Sequence, residues 1–274
     1  NKRLPQFNDC FLDIFEELDE IIYFSDSYLD SVNYLNHGFR ANLLNQYKKV
    51  ETTKKFYENR VFFKSIEDLA STGWTCIRPN NEWEFFFKSG IPCPKHLGAH
   101  AHSDLLSFEL YKKGKPIFIS AGTSVYQNCA QRHFERLGKS HNIMQLGLQK
   151  RFGYPRTINW IEGVDVWHSF RAGKKSKVLD RSYGLSREGF FYVEGVYDTY
   201  KSINASHKRR IEISIDQNQN LIFVIKDLIK CKYNINWQNW LHLGRGIPDK
   251  TIYDAICNLG NKYDFLVNWY DTYY

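Results

Sequence analysis

The hydrophobic positions of this chain repeat with two different periods. Near the start, Phe11, Ile14, Phe15, Leu18, Ile21 and Ile22 fall at helical spacing opposite Glu16, Glu17, Asp19 and Glu20, which predicts an amphipathic helix. Asn8 and Asp9 are suited to cap it. Asp26 or Ser27 opens a second helix carrying Leu29, Val32 and Leu35 until Gly38, and a third runs over about 40–49. Three helices by periodicity make a thin core that leaves one face exposed unless other helices cover it. Residues 1–70 therefore read as an incomplete helical layer.

After Gly73 the period changes to two. Leu106, Phe108 and Leu110 alternate with Ser107, Glu109 and Tyr111, and Ile211, Ile213 and Ile215 alternate with Glu212 and Ser214, the pattern of half-buried antiparallel strands. Further strands are predicted at 74–78, 83–87, 116–120, 190–193 and 221–227, with short polar connections at 112–115 and 216–220 that suit hairpins. The expected fold is mainly β: an antiparallel β-sandwich over 71–274, preceded by the helical segment.

Composition sharpens this picture without changing it. Of 274 residues, 43% are hydrophobic and 24% charged, the balance of a chain that folds rather than a disordered one. The 20 Phe, 18 Tyr and 7 Trp favour strands. A net charge of +7 attracts polyanions without identifying one, since nucleic acid, anionic lipid and acidic glycan all qualify. No reader motif for nucleic acid accompanies it, and no apolar run reaches the ~20 residues of a spanning helix. Positions 1–6 are polar and no secretory apolar core follows a basic start; a chain that opens on Asn rather than Met leaves export undecided. Six cysteines without a CxxC pair argue against a zinc ribbon or redox motif and read best as free thiols.

The densest reactive cluster is Gly98-Ala99-His100-Ala101-His102-Ser103-Asp104. If extended, it turns His100, His102 and Asp104 to one face at about 7 Å spacing. Two imidazoles and a carboxylate on one face bind a metal, move protons or form structural hydrogen bonds, and spacing does not separate these.

The stretch GAHAHSDLLSFELYKKGKPIFISAGTSVY resembles the signature of the heparinase II/III-like polysaccharide lyases. Downstream motifs follow the same order. Arg132 and Arg136 precede Ser140-His141-Asn142; Trp167-His168-Ser169-Phe170-Arg171 is similar to a Trp-x-Ser-Phe-Arg strand; Glu194-Gly195-Val196-Tyr197, His207-Lys208-Arg209-Arg210 and Val224-Ile225-Lys226-Asp227 complete the succession. The resemblance implies a β-sandwich behind an (α/α) toroid, with an acidic polysaccharide in the cleft between them. Leu4 to Asp9 is similar to the stretch that introduces the last toroid helices, so most of the toroid is not in this sequence.

The implied chemistry is β-elimination at a uronic acid: a base takes the C5 proton and the bond to the C4 oxygen breaks. A carbanion beside a carboxylate is costly, so the enzyme must neutralise the carboxylate, supply a base and assist the leaving oxygen. By resemblance His100 belongs to the active site. Tyr126, after Gly122-Thr123, is a catalytic candidate whose alternative is packing, and Arg132 and Arg136 are candidates to hold carboxylate or sulfate.

Zinc is the one cofactor implied, in family members that carry it, and its positions fall here on His102, Ser120 and His141. Serine replaces an aspartate ligand, which favours a hydrogen-bonded His102–His141 pair over an occupied site. Lys208-Arg209-Arg210 reads as a solvated sheet face, and Trp167, a possible sugar-stacking residue like Trp237 and Trp240, is expected in the core. The related bacterial lyases imply a periplasmic or cell-envelope location. The competing reading is a non-catalytic glycan-binding or assembly protein that keeps the sandwich.

Overall fold

A computed structural model describes residues 65–93, 98–149, 158–161, 163–167, 171–199, 205–233 and 235–244. The helices expected over 1–49, with Cys10 and Cys257, lie outside the described residues. The first described strand is β1 (Ser65–Leu69).

Two antiparallel sheets carry the core. One has the order β1-β2-β3-β4-β5, with β2 (Trp74–Arg78), β3 (Trp83–Lys88), β4 (Phe108–Lys112) and β5 (Lys115–Phe118). The other is built later in the chain. After a helix α1 (Ala130–Arg136), β6 (Met144–Gln149), β7 (Ile158–Ile161), β8 (Val164–Val166) and β9 (Ala172–Lys175), the chain forms β10 (Val178–Leu185), β11 (Phe191–Thr199), β12 (Ala205–Ile215) and β13 (Leu221–Lys230), in that order in the sheet. β14 (Asn236–Asn239) joins β6 and β7 in a three-stranded sheet, and β8 and β9 form a ribbon.

Alternation explains the packing. In β12, Ala205, His207, Arg209, Ile211 and Ile213 are buried while Ser206, Lys208, Arg210, Glu212 and Ser214 are not, as a period of two requires of a sheet with one covered face. Ile77, Phe85, Phe87, Phe108, Leu110 and Phe118 of the first sheet meet Phe191, Val193, Ile211 and Ile213 of the second in one cluster. Half-buried Phe223 packs against it, with ring centroids 5.6 Å from Phe85 and 5.3 Å from Phe108. Packing sheet on sheet through interleaved side chains is the sandwich expected from the sequence.

Two corrections concern charge and register. Phe108, not Leu106, begins β4; Leu106 sits in a turn at φ 59 with its side chain buried. Gly195 of β11 lets this turn approach, since a Cβ there would come within 2.4 Å of Leu106 Cδ2. Of the basic run on β12, Lys208 and Arg210 do lie on the outer face and pair with Glu194. Arg209 instead points inward. It is 1% exposed, makes a two-pronged pair with Asp227, and donates to the carbonyls of Leu106 and Asn142. A buried guanidinium survives only where its donors are met, and here they fasten β12 to β13, to the Leu106 turn and to the Asn142 main chain.

Candidate functional site

The segment 98–107 leads into β4 as an irregular loop, so the common face expected for His100, His102 and Asp104 does not form. Ala101 N donates to Gly98 O in a turn that leaves His100 solvent-exposed. His102 and Asp104 are fully buried two and four residues later.

What sets the exposed imidazole in place is α1. Arg136 at its end is completely buried, and its guanidinium donates to Ala101 O at 3.0 Å, Gly98 O at 3.5 Å, Trp167 O at 3.2 Å and Arg171 O at 3.1 Å. The helix also reaches the other side of the site. Arg132 Nη1 donates to Thr123 Oγ1 at 3.0 Å, and Glu135 accepts from Ser124 N at 3.1 Å and from the Ser124 hydroxyl. Tyr126, two residues on, is 39% exposed. Its ring meets His100 edge-on at 6.2 Å and lies 5.2 Å from the Arg132 guanidinium carbon. One short helix thus fixes two loops, and the two exposed rings meet between them.

Arg132 and Arg136, expected to hold the anionic groups of a glycan, are 2% and 0% exposed. Arg136 is engaged with main-chain carbonyls, and Arg132 lies beside the Tyr126 ring. Neither presents an open fork of donors to solvent. Trp167, expected in the core, is 49% exposed.

The residues that follow His100 belong to a buried polar cluster. Lys88 Nζ sits 2.6 and 2.7 Å from the two carboxylate oxygens of Asp104, with both side chains withdrawn from water. Burial alone would raise the Asp104 pKa; the charge of Lys88, aided by His141 and His102, holds it below the usual carboxylate range. His102 and His141 pack with ring centroids 5.3 Å apart. They are not the hydrogen-bonded pair expected, because neither ring nitrogen of His141 has a hydrogen-bond partner among the described residues. Asn142 ties the site to its surroundings: its amide donates to Phe108 O and accepts from His242 N. Sequence reasoning gave no role to Lys88, Asn142 or His242; only an ammonium-bearing residue at the end of a strong strand hinted at the first.

These residues do not fit a three-ligand zinc site. The spacing of two imidazoles suits one metal ion, but the third position, Ser120, is a neutral hydroxyl 3.5 Å from Ser107 Oγ, and Asp104 is already engaged by Lys88. We expect the purified protein to carry far less than one equivalent of zinc by elemental analysis; a stoichiometric content would overturn this.

The buried histidines also set an acid limit. Burial is the largest cause that takes His141 down to about 3, with repulsion from His102, Lys88 and His242 adding to it, while Asp104 opposes; burial likewise takes His242 down to about 4. Above pH 6.5 both are neutral whether the chain is folded or unfolded, and no penalty arises. Below 6.5 the unfolded chain takes up protons that the folded protein refuses. Stability should therefore fall by up to about 1.4 kcal/mol per pH unit for each histidine, until about pH 4 for His242 and about pH 3 for His141. The lowered carboxyls of Asp104 and Asp227 add their loss at the acid end of this range. Thermal midpoints recorded from pH 7 to 3 test this, and a flat profile would contradict the burial of these rings.

A sequence model of the family described as heparinase II/III-like, C-terminal, matches residues 64–259. The chain belongs to this heparinase II/III-like family. It is thereby related to polysaccharide lyases. Among solved structures it is similar to a heparan sulfate lyase, HepC, from Pedobacter heparinus, at 14% identity and a TM-score of 0.41, covering 87% of this chain and 43% of that one. It is also similar to a heparinase III, at 14% identity and a TM-score of 0.44, covering 83% and 30%. The chain spans less than half the length of these structures. No curated protein matches it. Among the described residues no helix is long and apolar enough to cross a membrane, and Cys76, Cys93 and Cys129 are free thiols.

Proposed function

We propose that the chain is the C-terminal part of a polysaccharide lyase of the cell envelope or periplasm that cleaves an acidic, uronate-containing glycan by β-elimination. The observation that carries this reading is the solvent-exposed His100–Tyr126 pair, fixed by α1 in a member of a lyase-related family. In the reaction a base removes the C5 proton, its electron pair forms the C4–C5 double bond, and the C4–oxygen bond breaks; the leaving oxygen takes up a proton. Imidazole and phenol both exchange protons, and protonated imidazole also steadies the uronate carboxylate. Arg132 and Arg136 act here as positioning residues behind the two rings.

A second reading, a glycan-binding or assembly protein without turnover, is favoured by one observation: Ser120 stands where the resemblance places an aspartate. The full-length protein should generate ultraviolet-absorbing unsaturated ends from a panel of heparan sulfate, chondroitin sulfate, hyaluronan and alginate. Retention on these glycans with no absorbance change would replace the lyase reading with the binding one.

A further inference from the structure

The clamp that holds His100 also holds an exposed tryptophan. Arg136 donates to Trp167 O from Nη1 while its Nε and Nη2 bind the carbonyls on either side of His100. The two residues, 67 positions apart in the chain, are therefore fastened to one guanidinium. The backbone at Trp167 is further closed by Trp167 N donating to Arg171 O at 3.1 Å, whose own carbonyl is a fourth acceptor of Arg136.

The indole is fixed as well as its backbone. Nε1 donates to Asp165 Oδ2 at 2.9 Å. The ring lies beside Gly173 of the paired strand β9, so that a Cβ at 173 would stand 3.0 Å from both Cζ2 and Nε1 and 2.4 Å from Asp165 Oδ2. Yet the residue remains 49% exposed. An aromatic side chain anchored at its polar atom, rested on a bare glycine and half open to solvent has little rotamer freedom left to lose when something packs on it.

From this we infer that Trp167 is a sugar-binding platform at the edge of the His100–Tyr126 site, taking one pyranose ring of the glycan. A pyranose presents a face of C–H groups between equatorial hydroxyls, and a flat π surface is the matching partner: it covers the apolar face and leaves the polar rim in water. The occupant follows from the backbone connection: the main chain that carries the indole and the main chain that carries His100 are held by the same guanidinium, and His100 meets Tyr126. This inference rests on the glycan reading above and adds a binding position to it.

The test is calorimetric titration of the full-length protein with heparan sulfate and alginate hexasaccharides, alongside Trp167→Ala, Trp167→Phe and Gly173→Ala. Trp167→Ala should weaken binding by about tenfold, a typical scale for losing an aromatic contact and its buried area, and Trp167→Phe by less. The loss should be the same at low and at high salt, because stacking is not screened whereas charge contacts are. Gly173→Ala should weaken binding by displacing the ring, with the thermal midpoint near that of the parent. Binding that is unchanged in Trp167→Ala would overturn the platform while leaving the glycan reading intact. A parent protein that binds neither hexasaccharide would overturn both.

Discussion

Replacing Lys88 by methionine should destabilise the protein by about 3–5 kcal/mol, enough to unfold most of a marginally stable domain. The side chain is 1% exposed and reaches both oxygens of an equally buried Asp104. Methionine fills much of the volume but leaves a carboxylate without its cation in a site that excludes water. Burial holds the neighbouring His141 uncharged until about pH 3, so that ring does not replace the lost cation near neutral pH. Removing both charges together should cost far less: in Lys88→Met/Asp104→Leu the urea midpoint should recover much of the loss, the signature of a coupled pair in a double-mutant cycle. If Lys88→Met unfolds within 1 kcal/mol of the parent, the pair is not desolvated as described.

His100→Ala should lower turnover on a uronate polymer by about 10²- to 10⁴-fold, the contribution of a positioned proton-transfer group. Because the ring is exposed and its loop is held through main-chain carbonyls by Arg136, the thermal midpoint should stay close to that of the parent. His102→Ala offers the contrast: that ring is fully buried against His141, so its loss should appear first in stability. Turnover of His100→Ala equal to the parent would remove this residue from the mechanism.

The strands that carry the core were legible because their faces differ. β2, β3 and β12 alternate strongly; predicted and observed positions agree closely for β2 and β3, while β12 begins at Ala205, ahead of the alternation read at Ile211 to Ile215. β10 was not legible: Leu179, Tyr183 and Leu185 are exposed, so no burial pattern marks it. The helix α1 has seven residues, too few for a 3.6-residue period to declare itself, and it carries Arg132 and Arg136 inward rather than an apolar stripe. That helix organises the site, which is why the site's composition was legible and its geometry was not. His100 and Tyr126 could be nominated from motif order, whereas their contact depends on hydrogen bonds that Arg132 and Arg136 donate to, and Glu135 accepts from, loops up to 38 residues away.

Residue type and local period were sufficient to establish a β-sandwich and, through motif order, a family. Only the tertiary structure decided which of several like residues faces water. His100 is exposed and His102 buried; Arg210 lies on a charged outer face and Arg209 inside; Lys88 sits within a core that its sequence neighbours Phe85 and Phe87 also enter. The physical reason is that a charge or imidazole can be buried only where distant segments bring acceptors to meet it, as Asp104 does for Lys88 and Asp227 for Arg209. Alternation is a property of neighbours along the chain, while compensation of a buried charge is a property of the assembled fold.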